Sequence, residues 1–373
     1  MREIEKNIDS LLSKAVSERI FPSYAAGIYL YKKKSCEVCL LHSIHKNKQS
    51  GNITEEAKQY FDLASLTKPL ATALSIIALL GEGRISLEAR LTEYLPEALP
   101  EDKREITIAQ LLNHSYGLPA HRPYYKQLAT LPVAARKAEL LRLIGAEQLV
   151  APPGTAAIYS DLGYLLLGLI IEKVAGVGLE EYFAEKIAKP LGLAEGILYN
   201  PPGKLKKPRQ AFFPTENCPW RGKVMQGEVS DENCWALGGV AGHAGLFANL
   251  ESVLGMTTAI LEIWQGRRVH PHLPREVLAF FLEAQSQVPG STWALGFDRP
   301  TPGSSSSGKY LSPRSVGHLG FTGTSFWIDP DKELVVVLLT NRVHPSRDNN
   351  LIREFRPYFH DRVVELLKDS KKL

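Results

Sequence analysis

The sequence predicts an α+β fold, with one antiparallel sheet flanked by helices from both chain ends and a mainly helical lobe beside it. Three observations predict this. Strand-like alternation is confined to the two ends, helical periodicity fills the centre, and amphipathic helical patterns open and close the chain. The 373 residues, 44% of them hydrophobic, can bury a substantial core. We expect one domain over 1–373, its sheet lobe built from approximately 1–69 and 291–373 and its helical lobe from approximately 70–290.

At the start, Ile4, Ile8, Leu11, Leu12 and Ala15 fall on one helical face. Ser23 to Tyr31 and Cys36 to His45 read as two strands joined by the turn Lys32-Lys33-Lys34, and polar Asn47 to Tyr60 as a loop. Leu66, Leu70, Leu74, Ile77 and Leu80 then recur at three- and four-residue intervals, predicting a helix that Gly81 or Gly83 stops. Ile106 to Leu112 is a short amphipathic helix followed by the turn His114 to Pro119, and Leu162 to Val174 is a more apolar helix ending near Gly176.

Residues 199–234 carry many Pro, Gly and charged residues without a period, predicting a long surface excursion beside a cleft. Gly238 to Gly245 matches neither a phosphate loop nor a dinucleotide fingerprint, and reads as a tight backbone crossing before a helix over Leu250 to Trp264. Pro300 to Gly308, with four serines, reads as a mobile loop. Val316 to Ile328 alternates up to Asp329-Pro330-Asp331-Lys332, and Leu334 to Leu339 is apolar and β-branched-rich, predicting a hairpin. Leu351 to Leu367 closes the chain as an amphipathic helix.

Composition narrows the function. A net charge of +4, spread along the chain, gives no basic block for nucleic acid. The longest apolar runs are too short to span a membrane. The charged N-terminal pattern lacks the apolar segment of a secretory signal, so we expect a cytoplasmic protein, or a periplasmic or extracellular one if a leader has been trimmed. Cys36, Cys39, Cys218 and Cys234 fit a reducing compartment, and Cys36 and Cys39 would face opposite sides of a strand. Ten histidines show no metal-binding spacing, so no metal, no organic cofactor and no obligate protein partner is expected.

The chemistry centres on Phe61-Asp62-Leu63-Ala64-Ser65-Leu66-Thr67-Lys68-Pro69. Pro69 suits a first helical turn, so the helix should start close to Ser65. There, free amides and the positive helix end favour developing negative charge, and three-residue spacing puts Ser65 and Lys68 on one face. A desolvated Lys68 then serves as base to a Ser65 nucleophile. The spacing is weakly specific, because Ser43 to Lys46 and Ser306 to Lys309 share it, and helix capping is a competing role for Ser65.

Three further blocks raise the specificity: Pro153 to Gly168 with Tyr159-Ser160-Asp161, Gly317 to Pro330 with His318-Leu319-Gly320, and Leu339-Thr340-Asn341-Arg342. Together with Ser65 and Lys68, and supported by Ile106 to Pro119 and Leu237 to Phe247, they resemble the serine β-lactamase and penicillin-binding protein superfamily on its class C-like side. The resemblance implies a β-lactamase/transpeptidase-like fold. It also implies Ser65 as the acylated serine, Lys68 as its proton-handling partner and Tyr159 as a proton carrier to the leaving group. The Ser65 and Phe321 amides would form the oxyanion hole. Asp161, His318, Gly320, Tyr116 and Arg342 would contact substrate.

Two departures from the superfamily pattern bear on substrate. Asp161 stands where asparagine is usual, and as a carboxylate it would hold Lys68 protonated and repel a substrate carboxylate. His318 stands where lysine is usual, and with an ordinary pKa of about 6.5 it can be neutral at physiological pH. The resemblance therefore implies a serine hydrolase acting on a small ester or a D-alanyl-type peptide, with β-lactams poorly turned over. A true β-lactamase and a silent sensor of cell-wall peptides are the alternatives. Taken singly, Tyr159 also reads as a core tyrosine, His318 as a strand histidine, Arg342 as a surface charge, and Tyr116 and His243 as packing residues, His243 with no catalytic role.

Overall fold

A computed structural model describes residues 2–32, 35–42, 59–95, 100–284 and 286–373. The first helix, α1 (Arg2–Ser17), leads into β1 (Tyr24–Lys32) and β2 (Ser35–His42). These join β8 (Val316–Leu319), β9 (Ser325–Asp329) and β10 (Leu334–Thr340) in one antiparallel sheet of order β2-β1-β10-β9-β8. Register runs from Tyr24 opposite Thr340 to Leu30 opposite Leu334, so the chain ends meet at the sheet centre.

Side-chain alternation divides two cores across this sheet. Ala26, Ile28, Leu30, Val336 and Leu338 face α1 and the last helix, which contributes Phe355, Phe359 and Val363. Ala25, Tyr29, Val335, Val337 and Leu339 face the large core shared with the helical part. Because β10 is buried on both faces, its sequence is a continuous apolar run rather than an alternating one. The helix Leu250–Trp264, assigned by sequence to the helical lobe, packs on β1 and β10 and closes that second face.

The sequence reading of Val316 to Ile328 as one strand is corrected. Gly320 to Thr324 interrupts it as a tight turn between β8 and β9, and the alternation simply resumes on the far side. Gly323 sits at φ 110°, and a Cβ there would lie 1.9 Å from the Thr340 hydroxyl oxygen.

The centre holds a second small sheet that sequence periodicity missed. Its order is β3 (Phe61–Asp62), β7 (Leu246–Ala248), β4 (Ile197–Tyr199), with the two-residue hairpin β5 (Asn217–Cys218) and β6 (Lys223–Val224) lying apart from it. It anchors the chain just before Ser65. From there a helical run extends to Gly81, first as a 3₁₀ turn over Ala64–Leu66, then as wide turns over Lys68–Ala73, then as α2 (Leu74–Gly81).

The stretch Ala64–Gly81 is long and apolar enough to cross a membrane, but 83% of it is buried inside the protein, where it is a core helix. It packs against α3 (Ile108–Leu112) through the shared core and directly against α4 (Asp161–Ala175). The glycine-rich segment crosses this packing closely: a Cβ on Gly242 would lie 2.1 Å from the Tyr164 carbonyl oxygen. Then come α5 (Glu232–Ala236), α6 (Leu250–Trp264) and, at the end, α7 (Ile352–Asp369).

Candidate active site

The turn before Ser65 is held under strain. Ala64 adopts φ 47°, uncommon for a residue with a side chain. The buried Asp62 carboxylate fixes it, accepting hydrogen bonds from the Ala64 amide at 2.9 Å and the Ser230 amide at 2.8 Å. From the other side the Thr322 and Thr324 hydroxyls donate to the Asp62 and Leu63 carbonyls at 2.6 and 3.1 Å. The turn carrying Gly320 and Phe321 is thereby strapped to the turn carrying Ser65.

Lys68 follows one turn later and is fully buried. Its Nζ donates to Ser65 Oγ at 2.9 Å, to Asp161 Oδ1 at 2.8 Å and to the His243 carbonyl at 3.3 Å, which uses all three ammonium protons. Burial opposes that charge, but the adjacent Asp161 outweighs it and holds the Lys68 pKa above its ordinary value. Burial likewise opposes the Asp161 charge, and Lys68 with His121 holds its pKa below the usual carboxylate range. The two are a buried ion pair at the start of α4, with Asp161 Oδ2 3.3 Å from His121 Nδ1.

Tyr159 lies in the extended segment before α4, where Ser160 caps the helix by accepting from the Leu162 amide. Its ring stacks on Trp293, with centroids 5.4 Å apart and planes at 19°, and lies 5.0 Å from Lys68 Nζ. Desolvation pushes the phenol pKa up, against the pull of the nearby Lys68 charge. In the resting site both groups able to take the Ser65 proton therefore already hold one.

His318 on β8 is 2% exposed, and its Nδ1 lies 2.8 Å from the Leu319 carbonyl. Burial first, and Lys68 second, push its pKa down to about 3, so the ring is neutral at physiological pH with Nδ1 as donor. Its Nε2 is left as a buried acceptor without a partner among the described residues.

These groups line one cleft of about 600 Å³ between the sheet edge and the helical half. Ser65, Tyr159, Asp161, His318, Gly320, Phe321 and Arg342 all border it, and Lys68 lies directly behind Ser65. The expectation that Tyr116 contacts substrate is corrected. It is fully buried, its hydroxyl accepts from the Gly163 amide at 2.6 Å, and it fills space that any side chain at position 163 would need. Of the other Ser-x-x-Lys patterns, Ser306 to Lys309 lies in a loop far along the chain, with the Ser306 carbonyl facing His360. Ser43 to Lys46 lies outside the described residues.

Several cleft residues were not singled out as site residues by sequence reasoning. His243 borders the cleft, and its Nε2 lies 2.9 Å from Asp231 Oδ1. Its glycine-rich neighbourhood was the available signal. Trp293, His121, Arg353 and Arg356 carried none, since each lies outside the recognisable blocks. The carboxylates of Glu216 and Glu232 and the Cys218 sulfur lie within 4.8 Å of one another, a spacing a metal could use. The Arg347 guanidinium binds both carboxylates, so the cluster already holds a cation.

Comparison with known proteins identifies the family. The profile of the family described as Beta-lactamase matches residues 37–356. The chain belongs to the Beta-lactamase family. A putative D-alanyl-D-alanine carboxypeptidase of Escherichia coli K12 is 34% identical over 316 residues, covering 78% of this chain and 72% of that protein. An N-acetylmuramyl-L-alanine amidase of Bacillus subtilis 168 is 33% identical over 312 residues, with coverages of 78% and 69%.

Among solved structures, the octameric penicillin-binding protein homologue from Pyrococcus abyssi superposes with a TM-score of 0.69 at 21% identity, over 98% of this chain and 77% of that one. EstCE1, a hydrolase with promiscuous acyltransferase activity, gives 0.69 at 18% identity over 96% and 98%. Both share the fold. The chain is a serine hydrolase of the β-lactamase and penicillin-binding protein superfamily, and it is an enzyme.

Proposed function

We propose that this enzyme hydrolyses an ester or a D-alanyl-type amide through an acyl-enzyme on Ser65, with little turnover of β-lactams. The observation that carries the reading is the 2.9 Å contact between Ser65 Oγ and Lys68 Nζ at the wall of the cleft. Relatives named as a carboxypeptidase and an amidase support a peptide-like substrate.

In the proposed reaction, Lys68 first loses one proton to solvent. As a neutral amine it accepts the Ser65 proton while Oγ bonds to the substrate carbonyl carbon. The oxyanion forms where the Ser65 and Phe321 amides can donate to it. Tyr159 passes a proton to the leaving group as the carbonyl–leaving-group bond breaks, and Lys68 returns one to Tyr159. Water then releases the acyl group by the same steps in reverse.

Asp161 sets the cost of the first step. By stabilising the ammonium it makes the neutral Lys68 scarce near neutrality, so activity rises with pH. Neutral His318 itself offers no charge to a substrate carboxylate, unlike the lysine usual at that place, so such a group would have to be met by the arginines beside Phe321. Labelling with a fluorophosphonate probe tests the reading: wild type should label and Ser65→Ala should not. Folded wild-type protein that stays unlabelled would favour a binding protein instead.

A further inference from the structure

One end of the cleft gathers four arginines, and among the described residues only one of them has a carboxylate in ion-pair contact. Arg342, Arg347, Arg353 and Arg356 all line it, beside Gly320 and Phe321. Arg347 is paired with Glu216 and Glu232. Among the described residues, the other three have no carboxylate within ion-pair distance.

The buried pair spend their donors on main-chain carbonyls. Arg342 Nε donates to the Phe321 carbonyl at 2.8 Å and its Nη1 to the Arg347 and Asn349 carbonyls. Arg356 Nη2 donates to the Gly320 and Thr324 carbonyls at 2.6 and 2.8 Å, while its Nε is buried with no partner among the described residues. Arg356 is only 6% exposed, so water does not make up the difference. Carbonyl dipoles orient the two guanidiniums but supply no formal counter-charge in contact with them.

Backbone placement adds to the positive field. Arg353 and Arg356 occupy the first turns of α7, at the helix end that already attracts anions and where cations are unfavourable. The helix has no side-chain cap there. Burial, with repulsion from Arg342 and Arg353, pushes the Arg356 pKa down to about 9, and Arg342 is lowered for like reasons. An anion bound among these guanidiniums would supply the missing charge.

We infer that this end of the cleft seats a substrate group carrying two negative charges, either a phosphate or a pair of neighbouring carboxylates. One carboxylate would leave most of the charge on Arg342, Arg353 and Arg356 unbalanced. Guanidinium groups arrayed around one space suit multidentate binding of a dianion. The inference rests on the proposed reading of this cleft as the substrate site, but its test does not require turnover.

The test measures thermal shift and calorimetric binding with inorganic phosphate, succinate and acetate at matched ionic strength and mildly alkaline pH. It uses wild type, Ser65→Ala and Arg353→Gln, the last a change at an exposed side chain. Phosphate, succinate or both should bind wild type and Ser65→Ala alike, well above acetate, and Arg353→Gln should weaken that binding about tenfold. Stronger binding of phosphate would identify a phosphate-bearing substrate, and of succinate a dicarboxylate. Equal binding of acetate, no binding of any anion, or indifference to Arg353→Gln would overturn the inference. If the dianion binds while Ser65 proves unreactive, the hydrolase reading fails and this one stands.

Discussion

The two ends of the cleft are charged in opposite styles. Around Ser65 the polar side chains answer one another: Lys68 with Asp161, Asp161 with His121, Asp231 with His243. Around Phe321 the arginines face main-chain carbonyls, and only Arg347 has carboxylate partners among the described residues. The first arrangement stores and positions protons inside the protein. The second leaves its charge for a molecule that arrives. A buried charge with an internal partner is part of the fold, whereas one without a partner is poised for a ligand.

The difference can be broken from either end. The largest effect is expected at Ser65: Ser65→Ala should lower hydrolysis of a chromogenic ester by on the order of 10⁴-fold, while thermal unfolding barely changes. Lys68→Ala comes next, because it removes the main counter-charge of the half-buried Asp161 and leaves only His121 beside it. Urea unfolding should show a loss of about 3–5 kcal/mol.

His318 couples the site to acid. Its folded-state pKa of about 3 lies below the ordinary 6.5, so the unfolded chain takes up the proton first as pH falls. The stability it contributes is complete above about pH 6.5 and is lost progressively toward pH 3, on the order of a few kcal/mol. His318→Gln should flatten that part of the stability profile, and an unchanged profile would contradict a buried neutral ring.

Asp161→Asn tests the proton balance more gently. Removing the carboxylate lowers the Lys68 pKa, so the rise of kcat/KM with pH should move to lower pH by about one unit or more. A profile that does not move would mean that Lys68 does not set it. The smallest effect belongs to the unpaired end: Arg353→Gln should change stability by no more than about 0.5 kcal/mol in urea unfolding.

The same contrast explains what was legible in the sequence. Ser65, Lys68, Tyr159 and Asp161 sit in short local motifs, each tied to a helix start whose residues announce it: Pro69 in one case, Ser160 in the other. Helices such as α6 and α7 were legible because their apolar residues repeat at the helical period. Arg356 was not, since on its own helix it reads as one polar position among others. Its meaning comes from carbonyls at 320 and 324, brought near by the sheet. The small sheet escaped for a related reason: strands of two or three residues drawn from positions near 61, 197 and 246 leave no period to read. Tyr116 shows the converse, a residue in a suggestive turn whose packing against Gly163 only the folded chain reveals.

An acyl-enzyme on Ser65 can be caught by rapid-quench intact-protein mass spectrometry with p-nitrophenyl acetate. Wild type should carry one acetyl group during turnover, mapped to the peptide containing Ser65 and absent from Ser65→Ala. Turnover with no acetyl group on the protein, or with the group on another residue, would contradict it.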